Sequence, residues 1–384
     1  SRRSKTLCHP RTGSRTRSQT TTTRRWSGIV EVGIVPENTH YDGLDDFAGP
    51  GGWDEGAAML GLRLLGVEWD ADACATAEAN GHARIRTDVA THSHKGLNLG
   101  PLYVASPPCT MFTSMGHGAG RRSIGALAEG VATILRGADP ATVIAATVSM
   151  LIPAHREAQG KAVNHKVSHD DLHVAAEIDA ATSALILQPA RRVAQMRPDH
   201  VALEQVPGAL PVFEAYAIVL RNLGWSAWCG VLNAANYGVP QTRRRAILVA
   251  SRRGRVRMPK PTHAEHLGGL FGDLLPWVTM RDALGWGLDG PTPTIVPGGR
   301  SVGHFGAQRE IEAMARAAGR PTVAIPMREL AILQSFPADY EWVGKVTEKQ
   351  RQVGNAVPPL LAAHVLAALL GLPAPTSLKE AARA

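Results

Sequence analysis

The chain has 384 residues, 44% of them hydrophobic, enough to bury a full-sized core in one large domain with a smaller companion. No run of 18 or more apolar residues appears, and no hydrophobic segment follows the amino-terminal charges, so a membrane span and a secretory signal are not expected and a cytoplasmic protein is. The formal net charge is +8, but residues 1 to 25 hold eight bases and no acid, and beyond them 33 bases balance 33 acids.

Residues 1–27 therefore read as a disordered basic tail on a neutral body. Four cysteines, Cys8, Cys74, Cys109 and Cys229, lie far apart without a C-x-x-C pair, so neither a disulfide framework nor a metal site is expected. From about residue 42 short apolar strands alternate with helical stretches, the pattern of a parallel, doubly wound α/β sheet. The strands fall on the segment ending near Phe47, then Leu64 to Glu68, Ala83 to Thr87, Leu102 to Ala105, Val201 to Val206, Ser226 to Leu232 and Ala246 to Ala250. Helices are expected over Asp54 to Leu60, Asp72 to Asn80, Thr182 to Met196 and Glu214 to Leu223.

The first turn, Asp45-Asp46-Phe47-Ala48-Gly49-Pro50-Gly51-Gly52, puts three glycines where a strand passes into its helix, so that backbone can approach a ligand. Glu68 closes the second strand, where nucleoside-binding α/β folds bind ribose hydroxyls, and Trp69 after it offers a ring to stack on a base. Asp88 closes the third. The turn lacks the Lys-Ser/Thr pair of a phosphate loop, so the ligand reads as a nucleoside without phosphates.

The fourth strand stops at Ser106-Pro107-Pro108-Cys109-Thr110, a stiff loop that delivers a thiol to the carboxyl edge of the sheet. On this segment alone Cys109 reads equally as a nucleophile or as a small buried hydrophobe. Residues 117–180, Gly-rich and then Ala-rich with a polar stretch around Asn164 to His173, read as an insertion or lid. The fifth strand ends in Glu204-Gln205, a carboxyl placed to hydrogen-bond or protonate a substrate nitrogen. Gln241-Thr242-Arg243-Arg244-Arg245 follows, and alternation sends Gln241, Arg243 and Arg245 to one side, two guanidiniums for an anionic or carbonyl-rich ligand. Arg243 to Arg245, Arg252, Arg253, Arg255 and Arg257 share one acid-free 15-residue window, a basic patch suited to phosphates. Pro/Gly-rich sequence then suggests a small irregular domain, and helical patterning returns at Arg328 and over Pro359 to Leu370.

Taken together these motifs resemble the DNA (cytosine-5) methyltransferase family over roughly residues 42 to 370. The glycine turn is similar to that family's D-x-F-x-G-x-G-G, Ser106 to Cys109 to its P-P-C loop, Glu204 to the acid of E-N-V, and Gln241, Arg243 and Arg245 to Q-x-R-x-R. Arg328 to Pro337 resembles R-E-x-A-x-L-Q-x-F-P, and Gln352 to Pro359 the closing G-N-A-V-P-P element. The resemblance implies a Rossmann-like S-adenosylmethionine-dependent methyltransferase fold with a small irregular target-recognition domain. It divides the chain into a catalytic and cofactor-binding domain over 42–250, a target-recognition domain over 251–325 and a carboxyl-terminal return over 326–372.

The cofactor S-adenosyl-L-methionine would lie against Phe47, Ala48, Gly49, Gly51, Gly52, Glu68, Trp69, Asp88, Pro107, Asn355 and Val357. Cys109, Glu204, Arg243 and Arg245 would be catalytic, with Pro108 and Gln241 against the substrate. The implied reaction adds Cys109 to C6 of a flipped cytosine, making C5 nucleophilic toward a methyl group. An amino-methyltransferase would carry an aromatic residue after Pro-Pro, and Cys109 selects against it. The implied partner is double-stranded DNA, with a cognate restriction endonuclease as a candidate and a monomer as the expected state. Transfer RNA as substrate, and a catalytically decayed DNA-binding homologue, are the alternatives. Two positions depart from the family pattern: Asp46 stands where an apolar residue is usual, a charge costly to bury unless paired. Gln205 replaces the Asn that orders the nucleophile loop.

Overall fold

The computed structural model describes residues 39–108, 112, 123–162, 169–266, 274–297, 305–320 and 324–375. All seven expected strands form one sheet: β1 (Tyr41–Asp46), β2 (Leu64–Glu68), β3 (Ala83–Arg86), β4 (Leu99–Ala105), β5 (His200–Gln205), β6 (Ser226–Asn233) and, after the two-residue β7 (Gln241–Thr242), β8 (Arg244–Ser251). Their order is β3-β2-β1-β4-β5-β8-β6. The five strands from β3 to β5 are parallel, as patterned, whereas β8 runs antiparallel to both neighbours. Only a short connection separates β6 from β8, too short for the crossover that parallel pairing requires.

Strand alternation assigns each residue to a face. Leu44, Leu65, Tyr103, Leu203 and Leu248 pack on one side, under α3 (Ile124–Leu135), α6 (Gln188–Met196) and α7 (Leu210–Asn222). Leu64, Leu102, Val104, Ala202 and Ile247 pack on the other, against α1 (Gly52–Ala58) and α12 (Pro359–Leu370). Beside these, α2 (Ala71–Ala79) packs on β2 and β3, and α4 (Pro140–Ala162) with α5 (His169–Ala184) forms a hairpin whose first helix packs on α3. The helix expected from Thr182 is two elements, α5 and α6, joined by a 3-10 turn over Leu185–Leu187.

The close approach of α1 and α12 needs Gly56, where a Cβ would lie 2.6 Å from the Ala362 Cβ. By length and composition Val346–Leu370 is apolar enough to cross a membrane, yet 83% of its most apolar window is buried, and Ala356 to Pro358 break it into α11 (Val346–Asn355) and α12.

A separate small core gathers Met280, Trp286, Ile295 and Ile311 with Leu330, Phe336, Tyr340, Trp342 and Val353. It draws on α8 (Met280–Leu284), α9 (Phe305–Ala317), α10 (Met327–Leu333) and α11. The boundary expected near residue 325 therefore cuts through this core instead of beside it. The apolar face of α10, through Leu330, Ala331 and Leu333, packs into this core with Met280, Val353 and the aromatic residues.

Candidate active site

The glycine turn sits at the carboxyl edge of β1, and neighbouring strand ends hold its shape. Glu68 Oε2 accepts the Gly49 amide at 2.9 Å, while Oε1 accepts the amides of Trp69 and Asp70, each at 2.9 Å. Burial pushes the Glu68 carboxyl up, and these three amides work against that shift. Phe47 takes a left-handed conformation (φ 62°), strained for a side chain of its size.

The three glycines serve different ends. At Gly49 a Cβ would meet no described atom within 4 Å, so bare backbone faces open space beside Glu68 and the 64% exposed Trp69. Gly51 (φ 113°) instead makes room for the Tyr340 hydroxyl, and at Gly52 a Cβ would lie 2.3 Å from the Val357 carbonyl oxygen. The close approach expected of a ligand is thus available at Gly49, whereas at Gly51 and Gly52 the protein's own chain fills it. Tyr340 donates to the Pro50 carbonyl, joining the small core to the turn. Asp88 is exposed, its Oδ1 accepting the Ala90 amide at 2.8 Å, and Asn355 is exposed beside the buried Val357. Pro107 is buried and Ala48 is 6% exposed.

Cys109 lies outside the described residues, as do Thr110 and the Gly116 to Gly120 stretch, but the chain on both sides of Cys109 is anchored. Ser106 Oγ accepts the Trp53 indole N–H at 2.9 Å, and Phe112 is 2% exposed in the main core. Gln205 Nε2 donates to the Pro107 carbonyl at 2.9 Å and the Pro108 carbonyl at 3.2 Å. The extra methylene of Gln205 therefore still lets the amide clasp the two residues before Cys109. One strand further along the same edge, Glu204 Oε1 accepts from Arg245 Nε at 2.9 Å, with the two side chains 8% and 11% exposed.

Two assignments need correction. Arg243 does not face the edge with Arg245: it is fully buried, donating to the carbonyls of Ile295 (3.0 Å), Gly354 (2.8 Å) and Ala356 (3.0 Å). Gln241, expected against the substrate, is also fully buried; its amide donates to the Leu333 carbonyl and to Gln334, and it accepts the Ile295 amide. Alternation failed here because Gln241 and Arg243 lie outside the main sheet: β7 pairs with Thr292–Pro293 in a separate two-stranded ladder, and the main-sheet ladder begins only at Arg244. Gln334 donates in turn to Ala356, so three motifs distant in sequence meet at one carbonyl. The basic window is likewise divided, since Arg252 opposes the amino end of β5, donating its backbone N–H to the Asp199 carbonyl at 2.9 Å.

Asp46 is fully buried and paired. Arg192, from α6, approaches with Nε at 2.8 Å and Nη2 at 3.1 Å, and the Tyr103 hydroxyl donates at 3.1 Å. The Asp46 carbonyl accepts the Ser106 amide at 3.3 Å, so the pair underlies both the glycine turn and the Pro-Pro loop. A second buried pair, Arg84 with Asp54 at 2.8 and 3.0 Å, braces the turn through the Gly49 carbonyl. Burial raises Asp54, but Arg84 outweighs it and holds the carboxyl below its usual range. Asp45 lies beside this pair, fully buried and without a hydrogen-bond partner among the described residues, and burial with the Asp54 charge holds its carboxyl well above the usual range. Sequence reading missed Arg84 and Arg192; the signals were an arginine inside a four-residue strand and the need of Asp46 for a partner.

A doubly wound sheet with a glycine turn, acid-ended strands and a Pro-Pro loop at one carboxyl edge defines a Rossmann-like α/β methyltransferase fold. A solved DNMT2 variant from Spodoptera frugiperda shares the fold, with a TM-score of 0.50 and 13% identity over 86% of this chain and 99% of that one. The chain belongs to the C-5 cytosine-specific DNA methylase family, whose model matches residues 41–184, 174–270 and 303–371. It is 29% identical over 197 residues to the type II methyltransferase M1.HphI of Haemophilus parahaemolyticus, covering 39% of this chain and 49% of that one. It is also 25% identical over 351 residues to the type II methyltransferase M.AplI of Arthrospira platensis, covering 83% and 82%. The chain thus spans about half the length of M1.HphI and most of M.AplI.

Proposed function

We propose that this chain methylates C5 of a cytosine flipped from a short target sequence in duplex DNA, with S-adenosyl-L-methionine as methyl donor. The observation that carries the reading is the clasp of Gln205 on Pro107 and Pro108, which presents the residue before Cys109 beside the Glu204–Arg245 pair. The donor set fits the cofactor: bare backbone at Gly49 meets no neighbouring atom, the Trp69 ring is exposed, and the Glu68 carboxylate holds the amides of both residues. In this reading Phe47, Ala48, Gly49, Glu68, Trp69, Asp88, Pro107, Asn355 and Val357 hold the cofactor, which supplies an electrophilic methyl group when bound. Gly51 and Gly52 contribute by letting Tyr340 and Val357 close around the turn.

The Cys109 thiolate adds to C6 of the cytosine, and electron density flows toward N3 and C5. Glu204 hydrogen-bonds or protonates N3, while Arg245 orients Glu204 and offers its guanidinium to O2. When bound, the cofactor would supply the methyl group to C5 and depart as a neutral thioether; the C5 proton then leaves to a base, and the returning electron pair expels Cys109. A base within a duplex cannot reach this edge, so the target is extruded at a cost of a few kcal/mol.

The small core and the irregular chain packed around it form the target-recognition region, and Arg243 with Gln241 fixes it to the sheet. The type II methyltransferases among the relatives suggest a modification enzyme that works beside a restriction endonuclease or alone. Incubation with tritiated S-adenosylmethionine and mixed-sequence duplex DNA tests the reading: label should appear at C5 of cytosine and vanish with Cys109→Ser. Folded protein that transfers no label, or labels RNA in preference to duplex DNA, would overturn it.

A further inference from the structure

The basic window read from the sequence is not one patch, and the part that lies away from the active site has no role in the chemistry above. β8 runs antiparallel to β5, so Ser251 pairs with His200 at the amino end while Ile247 pairs with Glu204 near the carboxyl edge. The chain then stays at the amino edge, where the Val256 amide donates to Ser226 Oγ at 3.0 Å. From there it returns along the flank of the edge strand β6, until the Thr262 amide reaches the Asn236 carbonyl at 2.9 Å, beyond the carboxyl end of β6.

Val256 anchors this return in the core at 7% exposure, and Tyr237 donates to the Pro259 carbonyl at 2.9 Å. Around these anchors Arg255, Arg257 and Lys260 are exposed. Residues 252–264 contain no Asp or Glu. Arg252 and Arg253 share Asp199, at 2.9 and 2.7 Å, which neutralises one charge at the start of the strip and none further on.

We infer that this strip is a phosphate-backbone track for duplex DNA outside the target site, holding flanking DNA as it leaves the carboxyl edge. Nine extended residues reach at most about 30 Å, comparable to a run of roughly eight phosphates along one strand of a duplex. Exposed guanidinium and ammonium groups on a core-anchored, acid-free segment match that repeating charge without reading bases. The strip ends where the small domain begins, so DNA bound there is continuous with DNA in the recognition region. The inference rests on the proposed DNA substrate.

The test compares the wild-type chain with Arg255→Glu/Arg257→Glu/Lys260→Glu, none of which belongs to the catalytic machinery. Anisotropy with mixed-sequence duplexes of about 12 and about 40 base pairs is measured across a salt series. The track predicts that the variant loses about 10-fold on the long duplex and under about 2-fold on the short one. Its log–log salt slope on the long duplex should be shallower by about 2 to 3. The Gln triple variant, checked by thermal unfolding, guards against misfolding and should show the same pattern more weakly. Equal affinity and slope on the long duplex overturn the inference. So does a variant that keeps duplex binding but loses polyglutamate, which would make the strip a seat for an acidic protein segment. If the wild type binds neither duplex, the DNA reading itself fails, an outcome distinct from the loss of length dependence.

Discussion

Gln205 and Asp46 show how a residue that breaks its family's pattern can be accommodated by geometry. Gln205 uses its added reach to hold two carbonyls, so the loop before Cys109 is clasped by one amide. Gln205→Ala should lower kcat by about 10- to 100-fold with little change in melting temperature, because a small misplacement of a nucleophile is costly while the fold is not. Gln205→Asn should retain more activity than the Ala variant, and single-turnover kinetics separates the two. Asp46 is stable because Arg192 meets it with two hydrogen bonds in a fully buried site. Asp46→Leu would leave a guanidinium buried and unpaired, a loss of about 3 to 5 kcal/mol by urea unfolding. Asp46→Leu with Arg192→Leu should recover most of that loss, and failure to recover would show that the pair is not the reason.

At the scale of elements, the strand ends were legible from sequence and the connections between distant elements were not. Glu68, Cys109 and Glu204 each follow a short apolar run, so period and punctuation located them. Arg192 meets Asp46 across 146 residues, and Gln241 meets Gln334 across 93, and no local spacing encodes either pairing. The Arg243 assignment failed for the same reason: alternation holds only while the chain stays in the sheet.

Helix α12 supplies a further prediction through His364, and the β3–β4 connection another through His92. Burial lowers both imidazoles to about 4, the charge of Arg192 assisting at His92 and His263 at His364. Their folded values lie below the unfolded value, so the unfolded chain takes up protons first as pH falls. Stability should therefore decline as pH drops from about 6.5 toward about 4, and urea midpoints across that window would show it. Flat midpoints would place these rings in contact with water.

On the scale of the whole molecule, the sheet and the small core meet at the site from opposite sides. Tyr340 reaches the glycine turn, Arg243 and Gln334 converge on Ala356, and Gly52 receives Val357, so the glycine turn and the small core share one seam. Gly52→Ala would press a Cβ against the Val357 carbonyl and should destabilise the chain by about 1 to 3 kcal/mol while weakening S-adenosylmethionine binding, readable by calorimetry. The seam also explains why the fold class was legible in the sequence and the small core was not: that core is completed by residues as distant as Val353. The central claim, that this edge methylates cytosine C5 through Cys109, is tested most directly by bisulfite sequencing of DNA from cells expressing the chain. One short sequence should resist conversion in cells with the wild type and lose that resistance with Cys109→Ser. Uniform conversion in the presence of folded wild-type protein, or protection that survives Cys109→Ser, would contradict it.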